Sequence, residues 1–187
     1  GAVCLFILTT LLFAVYSKDL PTPGKIKKLF SPESTRIMDR EGNLLFDVHG
    51  EERRFVLKQE EIPQSVKDAT IAIEDKDFYQ HFGFDVRGLI RGIILKPLSG
   101  EGFQGGSTLT QQFVKNALLS PKRTITRKIK ELILAIEMEI MFSKEQILTF
   151  YLNEIPYGAN AYGIEAASKT YFDKSAKDLT LAQAALL

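Results

Sequence analysis

From residue 60 onward the apolar side chains of this chain return every three or four positions, and that period dictates helices. Ile129, Leu132, Ile133, Ile136 and Ile140 share one side of one segment, and Ile147, Leu148, Tyr151 and Leu152 do the same on the next. This is the spacing by which a helix gathers an apolar stripe, and both stripes are expected to face the core. Ile62-Pro63 opens an earlier helix, since proline suits a first helical turn. Upstream the pattern changes. Arg40-Glu41-Gly42-Asn43 is a turn signal between two short runs of strand character, which predicts a small β-hairpin. The body is therefore mainly α, without internal repeats.

With 187 residues, 45% hydrophobic and 25% charged, the chain can bury one sizeable core but not several domains. Lys plus Arg total 24 against 23 Asp plus Glu, so no global cationic field marks it for nucleic acid, and an anionic partner must be met by a local cluster. A single cysteine, Cys4, excludes a disulfide framework, and two distant histidines argue against zinc. Residues 1–17 carry no charge before Lys18. A membrane-crossing helix needs about 20 apolar residues, so this run predicts an incomplete transmembrane helix with an interfacial Tyr16-Ser17-Lys18 exit and no evident cleavage site. Residues 18–59 then read as a linker, with Pro21, Pro23 and Gly24, followed by the β element. Lys18, Lys25, Lys27 and Lys28 follow the run; the positive-inside rule would put the body in the cytoplasm, but without the other flank the comparison stays open.

Chemistry concentrates between Ile73 and Asp85, where Glu74, Asp75, Phe78, His81 and Gly83 follow the apolar run Ala69 to Ile73. An apolar lead-in would hold Glu74 rigidly and partly desolvate it, suiting it to general-base work. A helix C-terminus with solvated charges is the plain alternative. Farther on, glycines between Ser99 and Gly106 lead into Ser107 and Thr108-x-x-Gln111, a capping-box pattern predicting a helix that begins near Ser107 with amides able to receive an anion. An ordinary loop and cap fits the same residues. Lys115, Lys122, Arg123, Arg127, Lys128 and Lys130 follow. Arg127, Lys128 and Glu131 can share one helical face, opposite the isoleucines and leucines, either as a surface salt bridge or as a second carboxylate set among cations.

Transfer and hydrolysis make different demands on such a set. A glycosidase needs a carboxylic acid to protonate a sugar alkoxide as well as a second carboxylate. A pyrophosphate leaves unprotonated and needs positive charge where its own charge develops, plus one base for the incoming hydroxyl. One apolar-flanked Glu and a surplus of cations match the second case.

Four ordered motifs resemble those of peptidoglycan glycosyltransferases, the glycan-polymerising domains of class A penicillin-binding proteins and of monofunctional relatives (glycosyltransferase family 51). They are Glu74-Asp75-x-x-Phe78-x-x-His81-x-Gly83-x-Asp85; Gly106 to Gln112 with Lys115-Asn116; Arg123-Thr124-x-x-Arg127-Lys128-x-x-Glu131; and Lys144-x-x-Ile147-Leu148-x-x-Tyr151-Leu152-Asn153 with Gly158. They span about residues 60 to 187, which the resemblance makes a glycosyltransferase domain that stops short of the family's further helical motif. Thr149 stands where relatives often carry an acidic residue, and no Ser-x-x-Lys transpeptidase signature is present.

The resemblance implies a lysozyme-like helical head, a smaller membrane-associated jaw around Val86 to Leu98, the short hairpin and the N-terminal transmembrane helix. It implies an enzyme on the outer face of the bacterial cytoplasmic membrane that polymerises lipid II with inversion, polyprenyl pyrophosphate leaving. Glu74 would be the general base, and Glu131 would orient or stabilise the donor phosphates. Substrate would be met by Asp75, Phe78, His81, Ser107, Gln112, Lys115, Asn116, Arg123, Arg127 and Lys128, with His81 chiefly bracing the Glu74 loop. A divalent cation, magnesium or manganese, is an optional cofactor at the pyrophosphate. The partners implied are lipid II, the growing glycan, the bilayer, phosphoglycolipid inhibitors such as moenomycin, and other cell-wall synthesis proteins. A membrane-anchored lytic transglycosylase or muramidase would have no use for the phosphate-directed cations, and a non-catalytic precursor-binding scaffold would tolerate loss of Glu74.

Overall fold

The computed structural model describes residues 35–41, 44–48, 56–86, 88, 106–120, 122 and 124–187. The apolar run 1–17, most of the jaw segment and Arg123 lie outside them. Strand β1 (Thr35–Met38) pairs antiparallel with β2 (Leu44–Val48), Thr35 opposite Val48, and the register shifts between Ile37 and Met38. The rest is helical: α1 (Gln64–Glu74), α2 (Leu109–Leu118), α3 (Ile125–Met141), α4 (Lys144–Glu154), α5 (Ile164–Phe172) and α6 (Leu181–Leu186), with single 3-10 turns at Gln59–Glu61 and Ala176–Asp178. Among the described residues no helix is long and apolar enough to cross a membrane.

The helix starts follow from hydroxyl side chains that meet otherwise unpaired first-turn amides. The Thr108, Thr124 and Ser143 oxygens accept from the N–H groups of Gln111, Arg127 and Gln146. At α4 the Gln146 side chain returns the bond to Ser143, completing a capping box, and Thr180 with Gln183 does the same at α6. Each such cap stabilises by about 1 kcal/mol. At α2 the helix begins at Leu109, with Thr108 as its cap.

Helix α2 packs against both α3 and α4, and α6 closes on α1. Val66, Phe78, Leu109, Phe113, Leu134, Met138, Ile147, Leu148, Leu152 and Ile164 form the centre of the core. Phe150 joins it, stacked on Phe113 at 6.0 Å and edge-on to Phe142 at 5.1 Å between ring centres. On α4 the expected stripe, Ile147, Leu148, Tyr151 and Leu152, is buried.

On α3 the expectation is corrected. The helix forms, but it turns its buried side to Glu131, Leu134, Ala135 and Met138, while Ile125, Leu132 and Ile140 point outward. Of the stripe read from the sequence only Ile133 is fully buried. Periodicity detects an apolar side of a helix; it does not say which side meets the neighbouring elements.

Two close approaches fix the end of α4. The Asn153 side chain accepts the Leu57 N–H at 2.9 Å and donates to the Leu57 carbonyl at 2.9 Å, so its amide pairs with that residue as a neighbouring strand would. Gly163, at φ +80°, passes so near that a Cβ there would stand 2.4 Å from the Asn153 carbonyl oxygen. Only glycine fits both the backbone angle and the space.

Candidate active site

The site grows from the junction between α1 and α2. Helix α1 ends at Glu74, and Asp75 caps it, its N–H bonded to the Ile71 carbonyl at 3.0 Å. The Asp75 side chain, 6% exposed, turns inward. Its two oxygens meet His81 Nε2 at 3.0 and 2.9 Å, and Oδ2 also accepts the Leu109 N–H at 2.9 Å. A carboxylate at the first residue of α2 is favoured by the helix dipole. It also alters the sequence reading, because this protein's own Asp75 and the Thr108 hydroxyl take two of the first-turn amides that an external anion would have used. Asp75 thus braces the loop against the start of α2. His81 braces with it, its Nδ1 buried without a hydrogen-bond partner.

The loop is clipped a second time at Gly83, whose carbonyl accepts the Thr108 hydroxyl at 2.8 Å. Gly83 adopts φ +74°, and a Cβ there would lie 2.9 Å from the Ala135 carbonyl oxygen on α3. Between the clips Phe78 is fully buried, edge-on to Tyr79 and His81. Phe78 therefore packs the core beneath the loop.

Glu74 stands at the surface. Gln112 Nε2 donates to its Oε2 at 2.8 Å, and the Tyr151 hydroxyl donates to Gln112 Oε1 at 3.5 Å, which sets the amide's orientation. The apolar lead-in does not desolvate Glu74, since Ile73 is 70% exposed and points away from the core. What holds the carboxylate is Gln112. Burial, and then the Glu74 carboxylate, push the Tyr151 hydroxyl well above the ordinary phenol range, and Tyr157 is shifted the same way, chiefly by burial. Both phenols stay protonated.

The second carboxylate, Glu131, is 2% exposed and pairs with Lys128. Lys128 Nζ also donates to Ser107 Oγ at 2.8 Å, so this ammonium spans from a buried acid to the residue just before the α2 cap. The pair is an i,i+3 ion pair whose acid lies inside and whose lysine reaches the surface. Arg127 is half-buried in the same first turns of α3. Lys115, half-buried, lies three residues past Gln112 and hence on its side of α2, next to exposed Asn116.

Sequence reasoning missed a third carboxylate. Glu139, its side chain 3% exposed, accepts from the Thr110 hydroxyl at 2.6 Å and from Lys144 Nζ at 2.8 Å. Lys144 stood in a quoted motif; nothing in the pattern singled out Glu139. As to a metal, the described residues contain no group of three or more His, Cys, Asp or Glu able to hold one, and the Lys128 ammonium already compensates Glu131. A divalent ion would have to draw most of its ligands from phosphate oxygens and water, as magnesium commonly does.

Helices gathered around an exposed, amide-held Glu and a buried Glu paired with a surface Lys agree with a glycosyl-transferring class, and the comparisons give that class its family. The profile of the Transglycosylase family matches residues 41–187, and the chain belongs to this family, the peptidoglycan glycosyltransferases. Among its relatives, penicillin-binding protein 1A of Aquifex aeolicus is 41% identical over 186 residues, 99% of this chain and 25% of that protein. Penicillin-binding protein 1A of Vibrio cholerae is 38% identical over 99% of this chain and 23% of its own length. Penicillin-binding protein 1F of Bacillus subtilis is 43% identical over 86% of this chain and 22% of its own length. The chain thus spans about a quarter of the relatives it matches.

Proposed function

We propose that this domain polymerises lipid II into glycan strands, with Glu74 as the general base. The observation that carries this reading is that the start of α2 serves both halves of the chemistry. Gln112 in its first turns holds the exposed Glu74 carboxylate, and Ser107, just before its cap, meets the Lys128 ammonium. Glu74 takes the proton of the 4-hydroxyl of the incoming lipid II GlcNAc as that oxygen attacks C1 of the growing chain's reducing-end sugar. The C1–oxygen bond to the pyrophosphate breaks, its electron pair departs with the phosphate, and a single displacement inverts the anomeric centre. Lys128, with Arg127, Lys115 and Arg123, stabilises the charge that develops on the leaving group. Glu131 keeps the Lys128 ammonium in place.

The substrate's polyprenyl tail lies in the bilayer. The reading therefore includes a lysozyme-like head with a membrane-associated jaw around Val86 to Leu98, anchorage through residues 1–17, and catalysis on the outer face of the cytoplasmic membrane. Product analysis tests it. The purified chain given lipid II should make polymer and should leave preformed glycan intact. Release of fragments from preformed glycan would make it a lytic enzyme, and binding without turnover a scaffold.

A further inference from the structure

The Glu139 cluster lies outside the catalytic set yet links α2, α3, α4 and the loop that follows Glu74. Its acid is on α3, Thr110 is on α2, Lys144 opens α4, and Lys144 Nζ lies 4.5 Å over the ring of Phe78 in the loop that follows Glu74. A buried ion pair is a weak way to stabilise a fold, because desolvation offsets most of the attraction and an apolar pair of similar size often does as well. Its geometry suggests another use. Successive residues of an α-helix are about 100° apart around the axis, so Thr110 and Gln112 point to nearly opposite sides of α2. Thr110 bonds inward to Glu139 while Gln112 bonds outward to Glu74. The Asp75–Leu109 and Gly83–Thr108 bonds fix where α2 begins, and the Thr110–Glu139 bond fixes how it is rotated.

We infer that the Glu139–Lys144 pair is a rotational lock on α2, which holds Thr110 inward and thereby aims the Gln112 amide at Glu74. Glu139, Lys144 and Thr110 are then positioning residues for glycosyl transfer, a role that rests on the assignment of Glu74 as base. Misdirecting a catalytic group by about 1 Å can cost up to a hundred-fold in rate, so the lock governs kcat more than substrate affinity.

The test measures kcat, KM and Tm for lipid II polymerisation in Thr110→Val, Glu139→Gln, Lys144→Met and the double variant Glu139→Gln/Lys144→Met. Each single change should lower kcat by roughly ten- to a hundred-fold with KM within about two-fold. The double variant leaves no buried charge unpaired, so its Tm should recover while kcat stays low. Recovery of kcat together with Tm would show that the pair only supports the fold, and it would overturn the lock. Thr110→Val, which removes a single hydroxyl and keeps the side chain's shape, decides the matter if the charge variants fail to fold: unchanged kcat refutes the proposal. In a Gln112→Ala background Thr110→Val should cost nothing further, and an independent, multiplying loss would likewise refute it. Glu74→Gln in the same assay reads the base assignment alone. Normal turnover there would remove the base while leaving the Thr110–Gln112 coupling to decide the lock.

Discussion

Along α3 the side turned inward carries Glu131 and Glu139, each with a lysine partner, among Leu134, Ala135 and Met138. The side turned outward carries Ile125, Leu132 and Ile140, which are 82%, 38% and 71% exposed. An ordinary surface helix would distribute these residues the other way. Burying two carboxylates requires partners for both, and leaving three large apolar side chains in water forgoes their burial energy. Local rules give way in this manner where geometry for chemistry outweighs economy of folding. The inner side holds Glu131 and Glu139, whose partners Lys128 and Thr110 reach to either side of the start of α2.

The comparison can be broken at four points, in order of falling effect. Glu74→Gln preserves size and hydrogen bonding but removes the base, so turnover should drop by about 10²- to 10⁴-fold while lipid II binding persists. Near-normal polymerisation by a folded preparation would refute the assignment. Next is Lys128→Met, which strands the buried Glu131 carboxylate. Turnover should fall and stability should drop by about 1–3 kcal/mol in denaturant titrations, with a second change, Glu131→Gln, restoring stability but not turnover. A variant as stable as the parent would mean that Glu131 finds another donor. Gly83→Ala comes third: strain at positive φ and contact with the Ala135 carbonyl should cost about 1–3 kcal/mol, measured as a lowered Tm. The outer side supplies the smallest effect. Ile140→Gln should change stability by no more than about 0.5 kcal/mol, and a larger loss would show that this stripe is covered after all.

Much of this was legible from residues near one another in the chain. The cap at Thr108 was read from its sequence, and its oxygen does accept the Gln111 N–H; the caps at Thr124, Ser143 and Thr180 use the same local chemistry, though the sequence reading did not single them out. The Lys128–Glu131 pairing followed from helical spacing, but its burial did not. Burial depends on what packs against a helix, and the apolar stripe of α3 pointed to the wrong side. Contacts distant in sequence were invisible. Thr110 and Glu139 are 29 positions apart, and Gln112 and Glu74 are 38 apart, with no pattern in either neighbourhood to pair them. The bracing of Asp75 was invisible for the same reason, since the amide that it accepts belongs to Leu109, 34 residues on.

The two-point pairing of Asn153 with Leu57 also has a mechanical meaning. In this orientation a pull transmitted from the N-terminal side of the chain reaches the helices at Leu57, and two hydrogen bonds share it and pass it into the last turn of α4. Were the domain anchored through residues 1–17, as proposed above, a pull on that anchor would meet this fastening before the residues that aim Glu74. Cutting the fastening with Asn153→Ala would shift the first loaded point farther along the chain, toward α1.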